Sequence, residues 1–387
     1  MRRRFERIYD VVESVEEYRY GGYHPVHLND IFNDRYKIVG KLAHGQYSTV
    51  WLALDQSSQR HVALKIVKAD QSQTNNELEI LQHLSRSSLS HPGRKYVIEL
   101  LDHFQHNGPN GTHLCLVLPV MLSDGSEMTV RGQPRDAEYI KKLSAKLILG
   151  LDFLHTSNVI HCDLQPANIL FSVAEPSDFE IQLQHPEFCP VKWLEGTVPD
   201  KSAPKYLLPS QRFRGALDKM KISSLVVKIG DLGGAVSQNV RVREQPITPR
   251  GLRAPELIRG EIWDASIDIW CLGCLIFEFA TNEPLFTINT FGITVEDVDK
   301  EHKSLIGDII GSESRDCGIF LNYLKQRLPS TFGEEDVQSF GAFLRSMLQT
   351  NPRHRISTAQ LLRHSWLVEG LGCDAFSSEV SSAPNLS

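Results

Sequence analysis

The fifteen residues from Ser266 to Ala280, SIDIWCLGCLIFEFA, constrain the fold more than any other part of the chain. Apolar side chains would occupy nearly every side of a helix here, so that helix has no face to give to water and belongs inside a domain. The run falls short of the roughly 20 residues that span a bilayer, and no other apolar stretch approaches that length. A central helix needs others around it, and the same half of the chain supplies them. Leu143, Leu147, Leu151 and Leu154 recur at helical spacing as one apolar stripe. Helices near Val337–Gln349 and Ser357–Arg363 close the ordered part.

The first part of the chain has a different period. YKIVGKL, STVWLAL and HVALKIV, from Tyr36 onward, alternate apolar with other side chains, with breaks at Gly45 and at the polar run Asp55 to Arg60. A short helix follows around Asn75 to Leu84, then two more strands near Val97–Leu100 and His113–Pro119. Strands followed by helices predict an α+β protein, a small sheet lobe over residues 36–121 and a larger, mainly helical lobe over 122–367. Residues 1–35 read as an arm packed on the body, and 368–387 as a disordered tail. Residues 171–224 hold six of the nineteen prolines, seven acidic and seven basic residues and no clear periodicity, the marks of an inserted spacer.

Composition narrows the function classes. With 41% hydrophobic and 23% charged residues the chain is globular rather than disordered. A formal charge of −6 argues against a dedicated nucleic-acid binder and leaves room for basic partners. The seven cysteines show neither a disulfide framework nor zinc spacing, which fits a reducing compartment. The basic N-terminus MRRRFERIYDVVE lacks the apolar run of a signal peptide. These features lead us to expect a soluble intracellular protein with no membrane or direct nucleic-acid partner.

Four short patterns carry chemistry. In HCDLQPANIL, His161 to Leu170, Asp163 and Asn168 stand five positions apart with Pro166 between them. A carboxylate to orient a hydroxyl and an amide oxygen to bind a metal, on a loop stiffened by proline, suit phosphoryl transfer. The turn Leu42-Ala43-His44-Gly45-Gln46-Tyr47-Ser48-Thr49-Val50 has small residues where a loop over phosphates needs them; alone, it fits a plain hairpin equally well. Lys65 shares a strand face with Ala63, opposite Val62, Leu64 and Ile66. An inward lysine needs a partner. In NNELEILQHL, Glu77 lies on the stripe with Leu81 and Leu84, whereas Glu79 faces the other way. Finally, KIGDLGG puts Asp231 at a flexible turn after a strand, where with Asn168 it would give Mg²⁺ two oxygen ligands. Glu256 of APE and the late Arg355 read as a buried ion pair, and Asp268, at the start of the apolar helix, as another buried acid with a backbone-capping role.

In this order the patterns resemble the eukaryotic protein kinase fold over roughly residues 36–367. The chain is more closely similar to the SR-protein kinase family, including its fungal-type members, in GGYHPVHLNDIFNDRYKIVGKLAHGQYSTVWLALD, NGTHLCLVLPV, DLG and DKEHKSLIGDIIG. That family also carries a spacer where 171–224 lies. The resemblance implies a monomeric serine/threonine protein kinase using ATP and Mg²⁺ on arginine/serine-rich splicing-factor-type proteins, in cytoplasm and nucleus. It implies Asp163 as catalytic base, Asn168 and Asp231 as metal ligands, and Lys65, held by Glu77, on the phosphates. It further implies that Leu42, Val50 and Ala63 wall the adenine, whose edge is taken by the Pro119 carbonyl and Met121 N–H. Leu118 would be the gatekeeper, and Ala43, Gly45 and Ser48 would belong to the phosphate loop.

This chain departs from that pattern at three positions. Ala43 replaces the first loop glycine. Cys162 replaces the usual arginine before the catalytic aspartate, so the segment from Asp231 to Glu256 is expected to take its active shape without phosphorylation. Gln165 replaces a lysine that contacts the γ-phosphate, and a neutral amide makes a weaker bond there. The competing reading is a pseudokinase scaffold that binds nucleotide or partners without efficient catalysis. Asp297, Asp299 and Glu301 suit an arginine-rich substrate and a solvated helix start equally.

Overall fold

A computed structural model of the chain describes residues 3–130, 134–173, 186–211, 217, 220–238, 245–288, 292–311 and 317–368. They fall into two compact units, one within Met1–Ser85, Ile98–Leu122 and Glu175–Arg214, the other within Arg86–Val97, Ser123–Ala174 and Gly215–Ser387.

The first unit is built on a six-stranded sheet. Its strands are β1 (Ile31–Phe32), β2 (Tyr36–His44), β3 (Ser48–Asp55), β4 (Arg60–Val67), β5 (Asp102–Gly108) and β6 (Gly111–Leu118), in the order β1-β2-β3-β4-β6-β5. All neighbours are antiparallel. Alternation decides the faces: Ile38, Trp51, Ala53, Val62, Leu64, Ile66, Cys115 and Val117 form one buried cluster. Lys65 lies in register with Val50 and Leu116, and Ala63 with Leu52 and Leu118. Two short helices follow β4, α1 (Ala69–Ser72) and α2 (Glu77–Arg86). The expected strand at Val97–Leu100 is absent; β5 begins at Asp102, and Val97 makes only an isolated parallel bridge to Ile229.

The arm belongs to this unit. Phe5 bridges Trp193, and Tyr18 and Tyr23 pack with Cys189 and Leu207. Cys189 and Leu207 lie on the paired strands β10 (Cys189–Pro190) and β11 (Tyr206–Leu207). Leu208 enters the sheet's own cluster, and Gln211 N–H donates to the Lys41 carbonyl at 2.7 Å. The described residues 186–211 are therefore structured and pack with the sheet, which corrects the assignment of 171–224 as one loop-rich insertion in the helical lobe. The mixture of prolines with isolated apolar residues hid these contacts, because each anchor is a single residue rather than a periodic run.

The second unit surrounds α6 (Ser266–Thr281), in which fourteen of sixteen residues are buried. Packed near it are α3 (Gly125–Val130) and α4 (Ala137–Thr156), then α5 (Pro255–Arg259), α7 (Val295–Ile310), α8 (Cys317–Arg327), α9 (Glu334–Met347), α10 (Thr358–Leu361) and α11 (Ser365–Val368). Asp136 caps α4 by accepting from Tyr139 N–H at 2.8 Å, and Leu143, Leu147, Leu151 and Leu154 are all buried. The short strands are β7 (Ser123–Asp124), β8 (Val159–Ile160), β9 (Ile169–Val173), β12 (Leu225–Ile229) and β13 (Val236–Ser237). Residues 86–97, expected in the sheet lobe, belong here instead. A Cβ on Gly93 would stand 1.8 Å from the Leu149 carbonyl oxygen of α4, so glycine alone permits that approach. The residues of the expected tail beyond 368 lie outside the described ones. No helix among the described residues is long and apolar enough to cross a membrane.

Candidate active site

Two groups of the expected residues form, one in each unit. In the sheet unit, Lys65 Nζ donates to both Glu77 carboxylate oxygens, at 2.8 and 2.7 Å. The Glu77 side chain is 2% exposed and that of Lys65 12%. Glu79, by contrast, is exposed, as the helical stripe required. The Asn75 side chain accepts from Glu77 N–H at 2.9 Å and fixes the start of α2. Two bonds from one ammonium help to offset the cost of a charge pair this dry. Beside it on the same sheet stand Val50, Ala63 and Leu118. Leu42 occupies a bulge in β2, between the pairs Lys41↔Trp51 and Ala43↔Val50, which bends the strand where it enters the turn. Gly45 and Tyr47 are exposed at that turn, while Ser48 is buried. Pro119 and Met121 follow β6 and are half-buried.

In the helical unit, strand pairing assembles the second group. β9 and β12 are antiparallel with Ile169 opposite Ile229, and Gly230 N–H donates to the Asn168 carbonyl at 2.8 Å. The residues just before β9 therefore lie beside those just after β12, which brings Asn168 and Asp231 to one end of the ladder. A Cβ at Gly230 would sit 2.4 Å from Leu170 Cδ1, so any larger residue there would have to displace that side chain. Asp231 adopts φ 55°, the left-handed region that aspartate tolerates better than most residues.

Asp163 is the hub of this group. Gln165 Nε2 donates to both its carboxylate oxygens, each at 2.9 Å. Asn168 Nδ2 donates to the Asp163 carbonyl at 2.8 Å and to Oδ2 at 3.1 Å. With that nitrogen committed, the amide oxygen of Asn168 is the donor a cation would meet. Burial pushes the Asp163 carboxyl above its usual range; His161 and the Gln165 hydrogen bond oppose this, while the nearby Asp231 charge adds to it. His161 is fully buried and ties the loop to the DLG turn. Its Nδ1 accepts from Asp163 N–H at 3.2 Å, so its Nε2–H, 3.0 Å from the Gly230 carbonyl, is the donor there.

The donor set fits magnesium. Among the described residues no three His, Cys, Asp or Glu side chains are grouped to hold an ion by themselves. Mg²⁺ normally takes one or two carboxylates together with phosphate oxygens and water, and the oxygens of Asp231 and Asn168 are of that kind.

Two further groups position this loop, Asp268 and Thr248. Asp268 does not cap its helix; it is fully buried, and its two oxygens accept from His161 N–H at 2.8 Å and Cys162 N–H at 2.9 Å. Thr248 Oγ1 donates to the Cys162 carbonyl at 2.6 Å. An acid inside an apolar helix was the available signal for Asp268, whereas Thr248 had none. The Glu256–Arg355 pair is present and fully buried, with bonds of 2.6 and 2.7 Å.

The sequence also has relatives. Residues 36–184 and 217–367 match the protein kinase domain model. The serine/threonine-protein kinase SRPK of Physarum polycephalum is 31% identical, the match spanning 92% of this chain and 91% of the relative. Protein kinase dsk1 of Schizosaccharomyces pombe is 27% identical over 94% of this chain and 86% of its own. The human SRSF protein kinase 3 is 38% identical over 42% of this chain and 30% of its own.

Proposed function

This chain is a member of the protein kinase family, in its SR-protein kinase branch, and from that premise we propose that it transfers the γ-phosphoryl group of ATP to serines in arginine/serine-rich proteins. Asp163 accepts the hydroxyl proton of the substrate serine and orients that oxygen for in-line attack. Lys65, kept extended by Glu77, contacts the α- and β-phosphates. Asn168 and Asp231 would hold Mg²⁺, which would supply positive charge against the negative charge developing on the phosphates. Leu42, Val50 and Ala63 enclose the adenine, whose edge bonds to the Pro119 carbonyl and Met121 N–H. The backbone of the turn around Ala43, Gly45 and Ser48 faces the phosphates. Arginine-rich substrates suit the net charge of −6. For such substrates it would act in cytoplasm and nucleus, and the proposed acting form is a monomer.

One observation carries the reading: the Asp163 carboxylate lies within 3.1 Å of the Asn168 amide, on the loop that the β9–β12 ladder sets beside Asp231. A second reading also has an observation in its favour. Gln165 engages both oxygens of the base and supplies no positive charge, as suits a pseudokinase that binds nucleotide without turnover. The test is radiolabelled phosphate transfer to an arginine/serine repeat peptide beside a generic basic protein, under single-turnover conditions. Transfer to the repeat peptide at a higher rate supports the kinase. Mg-ATP binding without transfer to either supports the pseudokinase, and equal transfer to both removes the proposed specificity.

A further inference from the structure

The turn between β2 and β3 is closed by its own backbone, Gly45 N–H donating to the Ser48 carbonyl at 2.9 Å. Nothing in the hairpin packs its tip: Gly45 is exposed, and a Cβ there would meet no atom within 4 Å. Its position is set from the arm. Tyr23 Oη–H donates to the Gly45 carbonyl at 2.6 Å, while the tyrosine itself is only 5% exposed. Burial first, then Glu13 and Glu17, push that hydroxyl up to about 12, so it stays a donor at neutral pH.

Tyr23 is held in turn on every side. Its ring packs on Tyr18 at 5.5 Å between centroids and under Lys68 Nζ at 4.4 Å. Lys68 pairs with Glu17 at 2.8 Å, and its own N–H donates to the Tyr47 carbonyl at 2.9 Å, on the far side of the turn. The Tyr23 carbonyl accepts from Asn110 Nδ2 at 2.6 Å, and the same amide reaches the Ser202 carbonyl at 2.7 Å. At the root of the hairpin, the fully buried Lys41 pairs with Glu13, which also accepts from Tyr18 Oη at 2.5 Å. Arm and turn are thus joined at the strand before the turn and at its tip.

We propose that Tyr23 is a positioning residue for nucleotide, fixing the Gly45 carbonyl so that the turn's N–H groups keep one orientation toward the phosphates. The inference rests on the reading of residues 42–50 as the phosphate loop. Loss of the hydroxyl leaves a carbonyl that water can still satisfy, so the cost falls on loop order rather than on the fold.

The experiment compares wild type, Tyr23→Phe and Tyr20→Phe, the last at an arm tyrosine that is 83% exposed. Mg-ATP affinity, melting temperature and hydrogen exchange of residues 43–48 are measured for each. Tyr23→Phe should weaken Mg-ATP on the order of fivefold and speed exchange in 43–48, with an unchanged melting temperature; Tyr20→Phe should match wild type. Wild-type affinity and exchange in Tyr23→Phe would overturn the proposal, as would equal weakening in Tyr20→Phe. A wild type that fails to bind Mg-ATP would instead overturn the phosphate-loop reading on which the proposal stands.

Discussion

Gln165→Lys is the perturbation that discriminates best, because it changes the charge beside Asp163 while keeping a donor there. The amide nitrogen of Gln165 stands 2.9 Å from both carboxylate oxygens. An ammonium in its place would interact with the ionised base by roughly 5 kcal/mol at an effective dielectric of about 20. Desolvating the ammonium and the half-buried setting of both side chains remove much of that, leaving about 1–3 kcal/mol. In the wild type, burial raises the Asp163 carboxyl above its usual range. A general base works only when ionised, so kcat/KM should fall as pH drops through that raised value. The lysine favours the ionised form and should move the acidic limb to lower pH by about one to two units. Turnover above the limb should be preserved or raised. The assay is kcat/KM for an arginine/serine peptide from pH 5 to 8 at saturating Mg²⁺. An acidic limb that stays in place would refute Asp163 as the titrating base, and a large loss of rate above it would show Gln165 adapted to another geometry.

Replacing Lys65 with Met should remove nearly all phosphate transfer while leaving the fold intact, read by activity and circular dichroism together; a mutant that keeps most of the wild-type rate would refute the phosphate role. Asp163→Asn should cut turnover with little effect on ATP affinity, whereas Asp231→Asn should also weaken Mg²⁺-dependent nucleotide binding. Identical nucleotide titrations for the two would undo that division. Glu278 tests stability instead: burial pushes its carboxyl up to about 7 in the folded chain, against about 4.3 unfolded. Because the folded value is the higher, its stabilisation is full below about pH 4.3 and is lost as pH rises to about 7. Glu278→Gln should therefore gain about 3–4 kcal/mol over wild type at pH 8 and little at pH 4.5, measured by urea unfolding, and parallel curves for the two proteins would refute it.

What was legible in the sequence was what period and local order encode. The two-period split of the chain gave the sheet and helical units, and the stripe through Leu81 and Leu84 separated inward Glu77 from outward Glu79. The loop from His161 to Asn168 declared its chemistry through residue type. What stayed hidden depends on contacts between segments far apart in the chain. Tyr23 meets Gly45 across 22 positions, Thr248 meets Cys162 across 86, and Asp268 meets His161 across 107. No pattern within one segment can carry such pairs. Asp268 is legible as a buried acid that caps backbone, and only the fold shows that the backbone it caps belongs to another loop. The strand expected at Val97–Leu100 is absent because the four residues Val97-Ile98-Glu99-Leu100 are too few for their period to separate a strand from a bridge.

Those hidden contacts hold the loop around Cys162, where the resemblance leads one to expect an arginine. Cys162 is itself left-handed, with φ 66°, a conformation that a side chain with a Cβ adopts at some cost. The surroundings over-determine it. Asp268 takes the N–H groups of residues 161 and 162 from one side, and Thr248 Oγ1 takes the Cys162 carbonyl from the other. The backbone leading into Asp163 is therefore fixed by a buried carboxylate and a hydroxyl, while the Cys162 side chain is itself buried. A phosphate added between Asp231 and Glu256 would find no cation at position 162 to receive it, and the Thr248 bond already joins that segment to the loop. Ordering that other kinases obtain by pairing a phosphate with arginine is expected here from the buried Asp268 carboxylate and the Thr248 hydroxyl, so phosphatase treatment should leave the rate of phosphate transfer unchanged.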